Sequence, residues 1–163
     1  MAVYTLIEED LLYSFLKNYK IGELINFEGI QEGIENSNYR ITTTKGKYIL
    51  TIFEKRVKEQ DLPFFIELKK HFVQKNFKCP EPISNKKGNY IDKIKNKLCI
   101  ICTFLEGKKI ENVTVNHCDQ LGTQLALMHI HAYDFEHYRQ NNLGCKQWEK
   151  LFESFKYNAK QKY

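Results

Sequence analysis

Two glycines four residues apart, Gly29 and Gly33, precede Asn36 and Ser37 in the run Gly29-Ile30-Gln31-Glu32-Gly33-Ile34-Glu35-Asn36-Ser37-Asn38. Backbone N–H groups in such a loop can converge on phosphate oxygens, with Asn36 and Ser37 as neutral donors beside them. Glycines at this spacing also occur in ordinary hairpins, so the run leaves both readings open. A base, a nucleophile or a metal centre is harder to assemble. His131-Ala132-Tyr133-Asp134 offers one imidazole and one carboxylate, but the residue five beyond Asp134 is Arg139, which cannot ligate a cation. His129 and His131 stand two apart, which on a helix aims them about 200° apart. Cys99 and Cys102 form a C-x-x-C inside the apolar run Leu98-Cys99-Ile100-Ile101-Cys102. Residues three apart on a strand face opposite sides, so these read as buried structural thiols rather than a redox or zinc pair. We assign no catalytic and no metal-ligating residue.

The composition bounds what these groups can serve. A chain of 163 residues with 42% hydrophobic content is a folded protein of one domain, or of a small domain and part of a second. The net charge of +5 is dispersed among acidic residues with no long run of one sign, which argues against a nucleic-acid surface. There is no apolar stretch of membrane-spanning length, and the N-terminus turns acidic at Glu8-Glu9-Asp10 instead of following signal-peptide order. Five cysteines without framework spacing fit reduced thiols and a cytoplasmic setting.

The elements that must position the loop follow from periodicity. Thr5-Leu6-Ile7-Glu8 reads as a capping box ahead of a helix whose stripe is Leu11, Leu12, Phe15 and Leu16, ending before Gly22. From Glu23 to about Phe53 the pattern is that of strands: Leu24 to Phe27, Tyr39 to Thr44, and Lys47 to Phe53 after a Lys45-Gly46 turn. Asp61-Leu62-Pro63 opens a second helix, with Asp61 as cap and Phe64, Phe65, Leu68 and Phe72 as its buried stripe. Runs from Asn89 to Ile94 and from Lys97 to Phe104, separated by Lys95-Asn96, extend the antiparallel sheet to about five strands. After the polar junction Leu105-Glu106-Gly107-Lys108-Lys109 the period becomes helical. Thr114 caps a helix from roughly 115 to 132 with Val115, Cys118, Leu121, Leu125, Met128 and His129 on one stripe. A last helix, Cys145 to about Lys160, carries Trp148, Leu151, Phe152 and Phe155 on one face.

An α+β lobe whose final strand runs through a polar linker into helices is the organisation that clamps a nucleotide between lobes. In such a clamp the adenine bonds backbone groups of the linker, here Thr103, Phe104, Leu105 and Glu106, while the glycine loop with Gly33, Asn36 and Ser37 covers the phosphates. Lys47, Lys55 or Arg56 could add positive charge, although solvated strand ends are their commoner role. Glu67 could pair with one of them, although a solvent-facing helix position is commoner still.

The residues themselves resemble a family. Phe27-Glu28-Gly29-Ile30 through Gly33-Ile34-Glu35-Asn36-Ser37-Asn38-Tyr39, then Thr42-Thr43-Thr44-Lys45-Gly46-Lys47-Tyr48-Ile49-Leu50-Thr51 and Phe53-Glu54-Lys55-Arg56, resemble the N-terminal lobe of bacterial homoserine kinases of the aminoglycoside-phosphotransferase type. The likeness continues through Asp61-Leu62-Pro63-Phe64-Phe65, Cys79-Pro80, Phe104-Leu105-Glu106-Gly107, His117-Cys118, Leu121-Gly122 with Leu125-Ala126 and His129, and Asn142-Leu143-Gly144. The resemblance implies a protein-kinase-like N-terminal nucleotide lobe over residues 1–105, followed over 106–163 by a linker and the first helices of a truncated second lobe. It implies ATP and Mg²⁺ as cofactors and phosphorylation of the hydroxyl of L-homoserine, a step toward threonine.

In that superfamily the base and the magnesium ligands come from a later His-x-Asp, an Asn five residues on, and a second Asp; none of this pattern is found in these residues. Where many members carry a phosphate-binding Lys on the third strand, this chain has Thr51, and the family's His at the position of His129 packs against the sheet-side core. The expectation is a shortened or split form, inactive alone, that pairs with a separately encoded C-terminal half or self-associates through Trp148, Leu151, Phe152 and Phe155. The alternative is a non-catalytic interaction module that uses the same apolar helix face.

Overall fold

The computed structural model describes residues 3–54 and 57–160. Among these described residues four α-helices and six strands follow in the order α1 (Glu9–Leu16), β1 (Leu24–Ile30), β2 (Ser37–Thr43), β3 (Gly46–Ile52), α2 (Leu62–Gln74), β4 (Pro82–Ile83), β5 (Ile91–Ile94), β6 (Lys97–Thr103), α3 (Val115–Ala132) and α4 (Cys145–Lys160). The strands form one antiparallel sheet in which β1, β2, β3 and β6 are successive neighbours. The far edge of β6 is shared, with β4 opposite Ile101 and Cys102 and β5 opposite Lys97 to Ile100. Lys95 and Asn96 both have positive φ, 49° and 62°, the geometry that lets a two-residue loop match the twist of the β5–β6 hairpin.

Strand alternation divides the core. Tyr39, Ile41, Leu50, Ile52, Cys99 and Ile101 point to one face, where Leu12, Phe15 and Leu16 of α1 cover them. Ile100 and Cys102 point to the other and meet Ile66 of α2, with Phe53, Tyr90 and Ile91 alongside. Cys99 and Cys102 therefore lie on opposite faces, both buried, as the strand reading requires. Burial pushes the Cys99 thiol up to about 12 and raises Cys102 as well, so both are inert at neutral pH.

Three local expectations are corrected. The capping box at Thr5 does not form: α1 starts at Glu9 behind Glu8, with no side-chain cap. Residues Val3, Thr5 and Ile7 instead alternate inward along an extended segment, and the Thr5 hydroxyl is used in tertiary bonds. Asp61 makes no cap to α2; a 3-10 turn over Glu59–Asp61 precedes the helix, and its carboxylate binds Arg139 at 2.9 Å. In α2 the buried residues are Leu62, Ile66 and Phe72, whereas Phe64, Phe65 and Leu68 are only half-buried. Phe64 and Phe65 face the segment after α3: Phe64 meets the Phe135 ring at 5.6 Å, and Arg139 lies 5.1 Å over Phe65.

The α3 helix begins as its sequence indicates, with Thr114 accepting from the His117 amide while the His117 ring accepts from the Thr114 amide. Its apolar stripe is uncovered, with Val115 87% and Leu121 70% exposed. His129 is also exposed, so it does not pack against the sheet-side core. What joins α3 to the sheet-bearing part is its C-terminal end. His71 of α2 donates through Nε2 to the His131 carbonyl at 2.7 Å, and Asp134 takes Lys75 at 2.5 Å and lies 3.2 Å from His71. Lys75 holds the Asp134 carboxyl below the usual carboxylate range.

Candidate nucleotide-binding face

α2 packs on the sheet beside β4, β5 and β6, with Ile66 against Ile100, Cys102 and Ile91. Over β1 to β3 the same face carries Asn38, Arg40 and Thr42 from β2 and Lys47, Ile49 and Thr51 from β3, none of them buried. This open face is framed at one end by the 31–36 loop and at the other by the chain leaving β6. Near the β6 end, the Phe104 ring has Arg40 at 5.9 Å and Lys47 at 5.8 Å. Arg40 pairs with Glu28, and Lys47 pairs with Glu106 at 2.7 Å. Both pairs are exposed, so they cost little to open when a ligand brings its own charge.

The sequence-assigned residues that the structure describes take the following places. Gly33, with φ of 109°, sits at the turn of the loop in a conformation that side-chain-bearing residues rarely adopt. Asn36 follows it, half-buried. Gly29 lies inside β1 opposite Tyr39, not in the loop; a Cβ there would come 2.9 Å from Cγ2 of Val3. Its missing side chain makes room for the N-terminal segment. In the linker, the Thr103 amide is held by the Glu81 carbonyl at 2.9 Å and the Phe104 amide by the Lys47 carbonyl at 3.1 Å. Among the described residues the amides of Leu105 and Glu106 bond no backbone carbonyl, which leaves them as the linker's free donors. Thr51 bonds Asn38 across the strands at 2.8 Å, so this position of β3 supplies no cation. Glu67 pairs with Lys70 of its own helix at 2.9 Å rather than with a strand lysine. Lys55 and Arg56 lie outside the described residues.

The structure places Ser37 as an anchor beneath the loop. Its hydroxyl is fully buried, donates to Glu54 at 2.6 Å and accepts from the amides of Tyr4 and Thr5 at 2.8 and 2.9 Å. The Thr5 hydroxyl donates to the same Glu54 oxygen at 2.7 Å, and Lys97 completes the cluster by pairing with Glu54 and donating to Thr5. Tyr39 donates to the Thr5 carbonyl at 2.6 Å, and Tyr4 reaches forward to the Ile34 carbonyl in the loop at 3.0 Å. The extended Val3–Ile7 segment thus straps the base of the loop to the ends of β2, β3 and β6. Burial works to raise the Glu54 carboxyl, but the bonds from Lys97, Ser37 and Thr5 outweigh it and hold its pKa below the usual range. Sequence reasoning missed Glu54, Lys97 and Tyr4. The inward alternation of Val3, Thr5 and Ile7 was the signal available for the strap, and the capping-box pattern masked it.

The face can hold a nucleotide through backbone donors, an aromatic ring and two screened cations. Among the described residues no cluster of three or more His, Cys, Asp or Glu side chains is placed to hold a metal ion. Among the described residues no donor set for Mg²⁺ is assembled: Asp134 is committed to Lys75 and His71, and Glu54 to its buried cluster. Among the described residues no helix is long and apolar enough to cross a membrane.

An antiparallel sheet with a helix on each face, a glycine loop between its first two strands and a linker leaving its last strand is the N-terminal architecture of kinase-like phosphotransferases. Residues 26–157 match the phosphotransferase enzyme family, and the chain belongs to it. It is similar to a homoserine kinase of Hyphomonas neptunium, 44% identical over 153 residues that make up 94% of this chain and 47% of that protein. The homoserine kinase of Bartonella tribocorum is 43% identical over 153 residues, 94% of this chain and 48% of its own. The chain therefore spans about half the length of the curated relatives it matches. Among solved structures, spectinomycin phosphotransferase in complex with ADP and spectinomycin superposes with a TM-score of 0.67 at 17% identity, over 93% of this chain and 47% of that one. Amicoumacin kinase in complex with AMP-PNP and Ca²⁺ gives 0.63 at 16% identity, over 83% and 42%. At such identities these likenesses speak for the fold.

Proposed function

We propose that this chain is the nucleotide-binding portion of a homoserine kinase. Residues 1–105 form the lobe that holds ATP, and residues 106–163 form the linker and first helices of the second lobe. The observation that carries this reading is the open sheet face framed by the Gly33 loop and the Thr103–Glu106 linker, in a chain 44% identical to a homoserine kinase. ATP would lie on that face with its adenine at the amides of Leu105 and Glu106. Its phosphates would lie under the loop carrying Gly33 and Asn36, and Ser37 would act from below through Glu54. When bound with the nucleotide, Mg²⁺ neutralises phosphate charge; its protein ligands and the base would come from a segment bearing the His-x-Asp pattern.

The apolar residues of α3 and α4, with Trp148 61% and Phe152 66% exposed, are the surface on which the remaining helices of such a lobe would close. Self-association through Trp148, Leu151, Phe152 and Phe155 would use the same surface.

A coupled ADP-release assay with ATP, Mg²⁺ and homoserine tests the reading. The 163-residue chain alone should show no turnover above background. Mixing it with a polypeptide corresponding to the unmatched half of the Hyphomonas neptunium relative should restore phosphate transfer. A fluorescent ATP analogue should bind the chain alone, and L105P, which removes a linker amide, should weaken it about tenfold, the worth of one hydrogen bond. Turnover by the chain alone would overturn the division of labour. Failure to bind any adenine nucleotide would overturn the reading as a whole.

A further inference from the structure

On the α1 face of the sheet, opposite the face framed by the linker, a cavity of about 560 Å³ opens between the chain leaving α1, the β2–β3 turn and the turn at Lys86. Its lining includes Lys17, Lys20, Lys45 and Lys86 against a single carboxylate, Glu23. Among the described residues none of these four lysines pairs with a carboxylate, so each keeps its charge for a ligand. Four positively charged side chains therefore line one concavity, and a concentration of one sign in a cleft attracts a small anion. Tyr13, Leu16 and Leu24 give the same cavity apolar surface.

The walls are built rather than incidental. Gly22 has φ of 89°, and a Cβ on it would fall 2.4 Å from the Thr44 hydroxyl oxygen. That close approach lets the Glu23 amide donate to the Thr44 hydroxyl at 3.0 Å while the Thr44 amide donates to the Glu23 carbonyl at 2.9 Å. The Thr43 hydroxyl holds the Ile21 carbonyl at 2.5 Å, and the Lys86 amide holds that of Asn18 at 2.7 Å. Two of the lysines are themselves placed. Lys45 Nζ donates to the Lys20 carbonyl at 3.2 Å, and Lys17 Nζ lies 4.5 Å over the Tyr13 ring. Three chain segments distant in sequence are thus held together as the walls of the cleft, which lowers the ordering cost of seating an anion there.

We infer that this cleft binds a small organic phosphate, with the phosphate among Lys17, Lys20, Lys45 and Lys86 and an apolar body against Tyr13, Leu16 and Leu24. The volume lies within the roughly 300–1,000 Å³ of small-molecule sites, and the lysines converge on a concavity instead of lining a flat stripe, which favours a small ligand over a polyanionic chain. Lysine acts as a point charge toward phosphate, and the apolar floor selects an ester carrying a ring or alkyl body over the free anion.

The test is an NMR titration of the amide signals of the whole chain with phenyl phosphate, and separately with inorganic phosphate, at fixed ionic strength. Phenyl phosphate should shift amides of residues 13–24, 44–46 and 85–87 and bind about tenfold more tightly than inorganic phosphate. K17A/K86A should weaken it about tenfold with an unchanged circular dichroism spectrum, and K17M/K86M, which keeps apolar stems, should do the same. Equal binding of both probes, shifts spread over all surface lysines, or undiminished affinity in both variants would each overturn the inference. Saturable binding of an oligonucleotide at these residues, with no effect of phenyl phosphate, would overturn it in favour of nucleic acid. On the nucleotide reading, shifts induced by ADP should fall on the opposite face, at the linker and the Gly33 loop, so this outcome is separable from that of the nucleotide reading.

Discussion

Replacing Glu54 by Gln should destabilise the fold by about 2–3 kcal/mol at pH 7, and the cost follows from counting donors. One Glu54 oxygen accepts from Ser37 and Thr5, while the other faces the Lys97 ammonium. A glutamine has one acceptor and one donor end. If its oxygen keeps the two hydroxyls, its NH₂ meets Lys97, donor against donor. If it is turned over, the NH₂ meets Ser37 Oγ, which already accepts from two amides, and Thr5 Oγ1, which already accepts from Lys97. Glu54 is 7% exposed, so water cannot repair the mismatch on its side; Lys97 is 39% exposed and can rehydrate, which keeps the cost below that of a fully buried pair. For a chain of this size the loss corresponds to a fall in Tm of about 5–10 °C. Because the folded pKa of Glu54 is depressed, its contribution is fully present above the unfolded carboxylate value of about 4.3 and is lost as pH falls through the folded value. The wild-type loses the interaction in acid while E54Q lacks it throughout, so the gap between them should begin to narrow as pH falls below the unfolded value of about 4.3. Urea melts followed by far-ultraviolet circular dichroism at pH 7, 5 and 3.5 measure this. A gap under about 0.5 kcal/mol at pH 7, or one that stays constant down to pH 3.5, would refute the reasoning.

Gly29→Ala should cost about 1–2 kcal/mol by crowding Val3, and V3A in the same chain should recover part of it, as read by urea melts. Arg139→Ala should cost about 1–3 kcal/mol, since it removes the pair with Asp61 and the contact over Phe65, and should raise hydrogen exchange across residues 134–144. Under native conditions a thiol reagent should modify Cys118 and Cys145 rapidly, while Cys99 and Cys102 should react only on unfolding.

Much of the architecture is legible in the residues because period and burial coincide. The strand runs around Tyr39–Thr44, Lys47–Phe53 and Lys97–Phe104, the helix starts at Thr114 and Cys145, and the opposed cysteines all follow from alternation or helical spacing. The two-residue strand at Pro82–Ile83 is too short to leave a pattern and exists only because β6 offers an edge. The two corrected caps and the placement of Ser37 share one cause. Thr5, Asp61 and Ser37 carry the short polar side chains that suit local caps or ligands, and in each case a distant charged residue claims them: Glu54 and Lys97 for Thr5, Arg139 for Asp61, Glu54 for Ser37. Such pairings across 17 to 92 positions leave no local periodicity to read.

The place of β6 sets an order of events for the growing chain. The last strand in sequence is an inner strand of the sheet: it pairs β3 on one side, with Ile52 opposite Cys99, and carries β4 and β5 on the other. A nascent polypeptide can therefore form the β1–β2–β3 meander early, but the Ile49–Ile52 edge stays unpaired until residue 103 has left the ribosome. During that interval the meander presents an apolar strand edge to any similar chain nearby. Slowing synthesis between residues 53 and 97 should thus favour aggregation during translation, even though the finished protein conceals that edge completely.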